Sequence, residues 1–173
     1  MLYNRNKIVY FDDSLLDTFV NARGLIKNYP HKAIVGVVTS YVGKPVTWEN
    51  HEPFGESSMG IEELKILIAD GWGIASHSKT HRQLSKLTRQ EIIEEIAGSY
   101  TWIKEHLGVS PCCFVPPYNV QDSFMISEAR KLYPYIRVMT PELRKRTFHS
   151  VSKDPAEMIK LTNIMESLGG NDA

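Results

Sequence analysis

His77 and His81 stand four residues apart, directly after a short apolar segment, Trp72-Gly73-Ile74-Ala75. If that segment is a strand and the chain turns after it, both imidazoles can face one point. A metal ion is the economical reason to build that. A second reactive pair, Asp12-Asp13, closes the apolar run Ile8-Val9-Tyr10-Phe11. Zinc suits imidazole and carboxylate ligands, and catalytic zinc keeps three protein ligands plus an open position for water. His77, His81 and one of the two aspartates supply that count. Adjacent side chains at a strand end point in different directions, so the other aspartate can serve as a general base. Alone, a His-x-x-x-His is more often a surface or capping pair, and either aspartate could simply cap the next helix. The coincidence of both pairs at strand ends favours the metal.

The elements that must position these groups follow from hydrophobic periodicity. Strands are expected at 8–11, 33–39, 72–75, 111–115 and 135–139, with a short sixth at 146–150. Helices are expected at 15–27 with Ser14 as N-cap, at 61–69, and from Thr88 to His106. Thr88-Arg89-Gln90-Glu91 fits a capping box and Gly108 a stop. Two further helices are expected at 123–132 and 154–168, with Gly169 to Ala173 fraying. Strands alternate with helices without repeat or linker, which predicts one α/β domain over 1–173 with a mainly parallel sheet. Reactive residues in such folds gather at the carboxyl ends of the strands. Besides the two pairs, those ends carry Pro116-Pro117-Tyr118 and His149.

Between Tyr41 and Gly60 the chain is rich in Gly, Pro and polar residues and holds Trp48, His51, Phe54 and Met59. A connection this long is often functional. Its aromatic rings suit either stacking on sugar faces or covering the core. His31, His51 and His106 read as structural or surface residues, and Trp72 and Trp102 as core.

Composition narrows the class. The chain has 173 residues, 42% hydrophobic and 23% charged, which is globular and large enough to bury a core. Its 20 basic and 20 acidic residues cancel, arguing against a broad surface for nucleic acid or anionic lipid. Arg144-Lys145-Arg146 reads as a solvated turn. The two cysteines, Cys112 and Cys113, are adjacent and read as small buried strand residues. No apolar run approaches the ~18 residues that span a bilayer, and residues 1–7 lack the apolar core of a secretory signal. No membrane partner and a cytoplasmic location are therefore the expectations.

Phe11-Asp12-Asp13, His77-Ser78-Lys79-Thr80-His81 and Pro116-Pro117-Tyr118 resemble, in order and spacing, three motifs of the polysaccharide deacetylase family, the NodB-homology domain of the family-four carbohydrate esterases. The similarity covers roughly residues 8–139. It implies a distorted (β/α) barrel and metal-dependent removal of an N-acetyl group from an amino sugar or oligo- or polysaccharide. By position, Asp12 aligns with the family's catalytic base, and Asp13, His77 and His81 with its metal ligands. Tyr118 aligns with the residue whose backbone N–H faces the oxyanion, and Thr147-Phe148-His149 is a weak match to the motif that carries an acid. Zinc is the default on ligand type, although cobalt, nickel or manganese fit the same ligands.

Three departures bear on that implication. Val115 stands where the family has an Arg that orients the base, and Arg137 or Lys79 is left to replace it. Asn119 replaces a Gly, and no Asp-Trp pair follows Tyr118. The chain is short after Met139, so sugar-contacting segments are reduced, absent or supplied by a second subunit of a homo-oligomer. Two other readings stay open: a sugar-binding homologue that keeps the metal site without turnover, and a hydrolase of a different C–N bond.

Overall fold

The continuous apolar runs become parallel strands. The computed structural model describes residues 8–27, 32–48, 57–151 and 154–169; His31, His51, Phe54 and the last four residues lie outside that set. Strands β1 (Ile8–Phe11), β2 (Lys32–Val37), β3 (Gly73–Ser76) and β4 (Thr147–Phe148) form one sheet in the order β3-β2-β1-β4. Tyr10 lies opposite both Ile34 and Thr147, and Ile34 opposite Gly73.

The expected strands at 111–115 and 135–139 are shorter than the sequence suggests. Each is reduced to bridges through Phe114, which pairs with Ser76 on one side and Ile136 on the other. Backbone bonds still extend the sheet: Cys112 N donates to Ile74 O at 2.8 Å, Val115 N to Ser76 O at 2.8 Å, and Arg137 N to Phe114 O at 2.8 Å. The surrounding prolines, Pro111, Pro116, Pro117 and Pro134, have no N–H to continue a ladder.

Side chains alternate across this sheet, and the two faces have different fates. Ile8, Tyr10, Ile34, Ala75, Cys113 and Val115 meet in one buried cluster, with Tyr135 packed against it. Five consecutive strand segments converging on one cluster make a barrel interior rather than one face of a flat sheet. The ladder does not close between β4 and residues 135–137. There Arg137 spans the gap, donating from Nη1 to Thr147 Oγ1 at 3.0 Å.

The outward face carries the main core. Val9, Phe11, Val35, Val37 and Ile74 pack against helices α1 (Leu16–Ile26), α2 (Ile61–Ala69), α3 (Arg89–Leu107) and α6 (Pro155–Gly169). A smaller cluster joins Phe114 to Ile92 and Ile96 of α3 and Met125 and Ala129 of α4 (Ser123–Ala129). Burying each such side chain contributes roughly 1.5–3 kcal/mol.

Helix ends follow their capping chemistry with one exception. Thr88 and Glu91 form the capping box of α3, and Gly108 ends that helix at φ 70°. Asp122 caps α4, accepting from Met125 N at 2.9 Å; α4 stops at Ala129, short of the expected 132. Ser14, in contrast, does not cap α1: Leu15 occupies that position without a side-chain bond. Ser14 instead adopts φ 51°, and its carbonyl accepts from Met59 N at 2.8 Å. A one-turn helix, α5 (Pro141–Arg144), precedes β4. Among the described residues no helix is long and apolar enough to cross a membrane.

Candidate metal centre

The inward register of the barrel delivers the reactive groups to one end. Continuing the alternation of Ile8 and Tyr10 puts Asp12 inside. That of Gly73 and Ala75 does the same for His77, and that of Tyr135 for Arg137. All line one cavity of about 380 Å³. Gly36 faces inward too, and a Cβ there would meet Asp12 Oδ1 at 3.3 Å and His77 Cβ at 3.4 Å. Strand alternation would send Asp13 to the other face. A left-handed turn at Asp13 and Ser14, φ 70° and 51°, brings it back, so both aspartates line the cavity.

The same device recurs around the cavity. Among the described residues the non-glycine positions with positive φ are Asp13, Ser14, Ser78, His81, Tyr118 and Asn119. Each is a candidate site residue or its immediate neighbour. Such conformations cost about 1–3 kcal/mol each and persist only where surrounding bonds enforce them. For the histidine loop the enforcer is Glu95 of α3, which is fully buried. Its Oε2 accepts from Lys79 N at 2.9 Å and Thr80 N at 2.8 Å, and its Oε1 from the Thr80 hydroxyl. His81 N in turn donates to Ser78 Oγ at 3.0 Å. Asn119 Oδ1 accepts from Met139 N at 2.7 Å, tying the Tyr118 turn to the next strand segment.

Asp13, His77 and His81 are buried, and one ligand atom from each lies within 4.8 Å of the others. Both histidine Nε2 atoms are 3.2 Å from Asp13 Oδ1, yet that oxygen has no hydrogen-bond partner. His77 explains why. Its Nδ1 lies 2.7 Å from the Val115 carbonyl, which can only accept, so Nδ1 carries a proton. In the neutral ring Nε2 then offers a lone pair to an oxygen that also offers one. Buried lone pairs facing each other are costly without a cation between them. The donor set therefore fits a divalent metal of the borderline class.

The surroundings of Asp13 and His81 favour their deprotonated forms. Burial pushes the Asp13 carboxyl up, but the His149 hydrogen bond, with His77 and His81 beside it, holds it well below the usual carboxylate range. Burial lowers His81 below its ordinary 6.5, with Asp13 pulling the other way. His149 Nδ1 donates to Asp13 Oδ2 at 2.9 Å. That bond raises the His149 pKa and fixes the carboxylate from behind, as outer partners of metal ligands do. His149 is otherwise 62% exposed at its side chain.

Asp12 sits beside the triad in an ion pair with Arg137, whose Nη2 donates to Asp12 Oδ2. Both residues are buried. A guanidinium thus meets the first aspartate although Val115 occupies the motif position where the family has Arg. Lys79, the other candidate, lies instead on Glu94 at 2.6 Å.

The cavity brings together Asp12, Asp13, His77, His81, Tyr118 and His149. Tyr118 is 43% exposed, with its ring 5.1 Å from that of His81. Trp48 is buried and its ring lies 4.6 Å from His81, so it covers core and pocket at once. Met139 and Arg144 also line the cavity. Neither carries a sequence signal: Met139 sits in an apolar run, and Arg144 in a basic triplet that reads as a solvated turn. Arg146 of that triplet also departs from the reading, donating to the Ile8 carbonyl at 2.9 Å. The cysteines stay apart, with Sγ atoms 3.9 Å from each other and Cys113 buried inside the barrel.

Comparison with known proteins agrees with this architecture. Chitin deacetylase 1 of Cryptococcus neoformans var. grubii is 38% identical over 58 residues, 34% of this chain and 12% of that protein. The solved family 4 carbohydrate esterase from Streptomyces lividans, in complex with acetate, superposes with a TM-score of 0.68. It is 15% identical, over 94% of this chain and 86% of that one. The Streptococcus pyogenes deacetylase PplD gives 0.61 at 19% identity, over 71% of this chain and 50% of that one. The chain thus spans half or less of the length of the last and the first of these relatives. The family model described as polysaccharide deacetylase matches residues 5–134, well over half of the sequence, and the chain belongs to the polysaccharide deacetylase family.

Proposed function

We propose that this chain is a metal-dependent hydrolase that removes N-acetyl groups from an amino sugar in an oligo- or polysaccharide. The observation that carries the reading is the buried Asp13 Oδ1, without a hydrogen-bond partner and 3.2 Å from two imidazole nitrogens. It opens on a cavity that also holds Asp12 and Arg137. Zinc is the metal that the donor set suits best. The names of the relatives, chitin deacetylase among them, support the substrate class.

Asp13, His77 and His81 would hold the metal. A bound divalent cation supplies Lewis-acid polarisation of the amide carbonyl and lowers the pKa of water at the site. Asp12 accepts the proton of the attacking water through the oxygen that Arg137 leaves available. The Tyr118 backbone N–H, at the cavity wall, would donate to the oxygen that becomes negative in the tetrahedral state. His149 would keep its Nδ1 proton on Asp13 and deliver a proton from its second nitrogen, Nε2, to the departing amine. Water adds to the carbonyl carbon, the C–N bond breaks, and acetate and a free amino sugar leave. The whole chain acts as one catalytic domain.

The deciding measurement is acetate release from N-acetylglucosamine oligomers, with chelator and with metal added back. Release should stop on chelation and return with the metal. Release that ignores chelation would overturn the metal-dependent reading. Tight metal and oligomer binding without release would turn the assignment to a sugar-binding homologue. Asp12→Asn should retain metal and lose about 10²–10⁴ in rate.

A further inference from the structure

A second surface feature adjoins the metal pocket. Between α5 and α6 lies a shallow groove of about 880 Å³. Arg144 lines both the groove and the metal pocket, so the two are neighbours that share one side chain. Lys145 and Lys160 complete its cations, and no residue lining it is acidic. Its apolar surface comes from Ile159 and Ile164, and Ile159 is 60% exposed.

The charge here is not an average property of a chain whose formal charge is zero. Arg23, Lys65, Lys79, Arg82, Lys131 and Arg137 all face carboxylates within ion-pair distance. Arg144, Lys145 and Lys160 show no such partner among the described residues, and neither do Lys86, Arg89 and Arg130; what distinguishes the first three is that they gather on one groove, with Lys160 5.7 Å over the Phe148 ring. Grouped like charges raise the local concentration of anions. An arginine fork and two ammonium groups match carboxylate or phosphate oxygens. The exposed isoleucine can lie against the C–H face of a sugar ring.

We propose that this groove is a subsite for an anionic group, carboxylate or phosphate, borne by the saccharide next to the acetylated sugar in the metal pocket. The proposal rests on the deacetylase reading for the identity of that sugar. It makes the preferred substrate an acidic N-acetylated saccharide rather than a neutral one.

Calorimetric binding to the full chain tests it with three ligands of equal length: a neutral N-acetylglucosamine oligomer, an oligomer in which a glucuronate adjoins an N-acetylglucosamine, and an N-acetylglucosamine oligomer in which the adjoining sugar bears a phosphate. At least one acidic ligand should bind on the order of tenfold tighter than a neutral counterpart, the sum of three modest exposed pairs. Whichever acidic ligand gains identifies the anion. The advantage should shrink to within about twofold in an Arg144→Gln/Lys145→Gln/Lys160→Gln variant. It should also shrink for the wild type as salt rises and the Debye length falls toward a few ångströms. Lys145→Gln/Lys160→Gln, on exposed positions away from the metal pocket, gives a second variant that should lose part of the advantage. Equal binding of neutral and acidic ligands, or an advantage that survives the triple substitution, would overturn the proposal. Acetate release from the neutral oligomer without an acidic advantage removes the groove and leaves the deacetylase. An acidic advantage that depends on the three cations, without acetate release from any ligand, removes the deacetylase and leaves the groove.

Discussion

Asp12 and Asp13 are chain neighbours in similar burial, yet their surroundings give them different work. Asp12 faces a guanidinium, whereas Asp13 faces three imidazoles. Removing the guanidinium would leave a buried carboxylate unpaired, so Arg137→Met should cost about 3–5 kcal/mol of unfolding free energy. Adding Asp12→Asn should return much of that loss, and a double-mutant cycle in denaturant measures the coupling. Additive losses would show that the two do not act as a pair. Arg137→Lys should fall between, because an ammonium cannot reproduce the planar fork. The triad has a pH signature with a definite sign. His81 has a folded pKa below its unfolded 6.5, so its contribution is complete above 6.5 and is lost as pH falls through the folded value. Asp13, depressed from 3.8, adds a further loss at lower pH. His149 runs the other way: its raised pKa gives a contribution complete below 6.5 that is lost as pH rises through the folded value. Thermal melts of the chelated protein should therefore lose stability on both sides, and His149→Gln should flatten the alkaline limb and, because the same hydrogen bond depresses Asp13, reduce the loss at the lowest pH.

At the scale of elements, the site consists of strand ends joined by turns in strained backbone, with α3 as the clamp. Glu95 gathers two consecutive backbone N–H groups and a hydroxyl from the loop between the histidines. Glu95→Gln should weaken binding of added zinc by about tenfold, the equivalent of one charge-assisted hydrogen bond of about 1.5 kcal/mol lost from the turn that aims His81, as read by competition with a chromophoric chelator. Thr88→Ala, at the N-cap of the same helix, should cost about 1 kcal/mol and leave zinc affinity unchanged. An equal effect of both substitutions on zinc would mean that α3 matters only as a helix. This clamp also marks the boundary of what the sequence discloses. Strands β1, β2 and β3, the α3 capping box and its Gly108 stop were legible because each depends on neighbours within a few residues. The gathering of Asp12, Asp13, His77 and His81 was legible from two spacings. Glu95 was not, since on the helix it reads as one more acid, and only a contact 15 residues away gives it a role. The Asp12–Arg137 pair joins residues 125 apart in sequence, and the sequence left Arg137 and Lys79 as equal candidates. Ser14 misled for the opposite reason: its type suits a cap, but the left-handed turn that swings Asp13 inward takes precedence.

For the molecule as a whole, the informative region is the one beyond the family match, which ends at residue 134. Residues 135–137 exchange backbone hydrogen bonds with Phe114, β4 pairs with β1, and Arg137 bridges these edges through Thr147. Farther along, Leu161 and Met165 of α6 are fully buried in the same core as Val9, Phe11, Leu64 and Ile103. Asp17 of α1 accepts from Val151 N at 3.0 Å, and Asn21 donates to the Val151 carbonyl at 2.5 Å, tying the first helix to the start of this region. These contacts predict that the metal centre and the last helix melt together. Leu161→Ala and Met165→Ala should each cost about 2–5 kcal/mol, and both should lower the temperature at which zinc is released, although neither touches the cavity. A single transition, seen alike by helix content and by zinc release, is the expected result. If α6 melts first while zinc stays bound, the chain is two cooperative units, and the metal site belongs to the first of them. The distinction bears on His149, which hydrogen-bonds Asp13 from the chain between β4 and α6. In a single unit the proposed acid is held by the same core that holds the proposed metal ligands. In two units its proton would be delivered only while the second remained docked, and the rate of acetate release would fall with α6 stability before zinc affinity did.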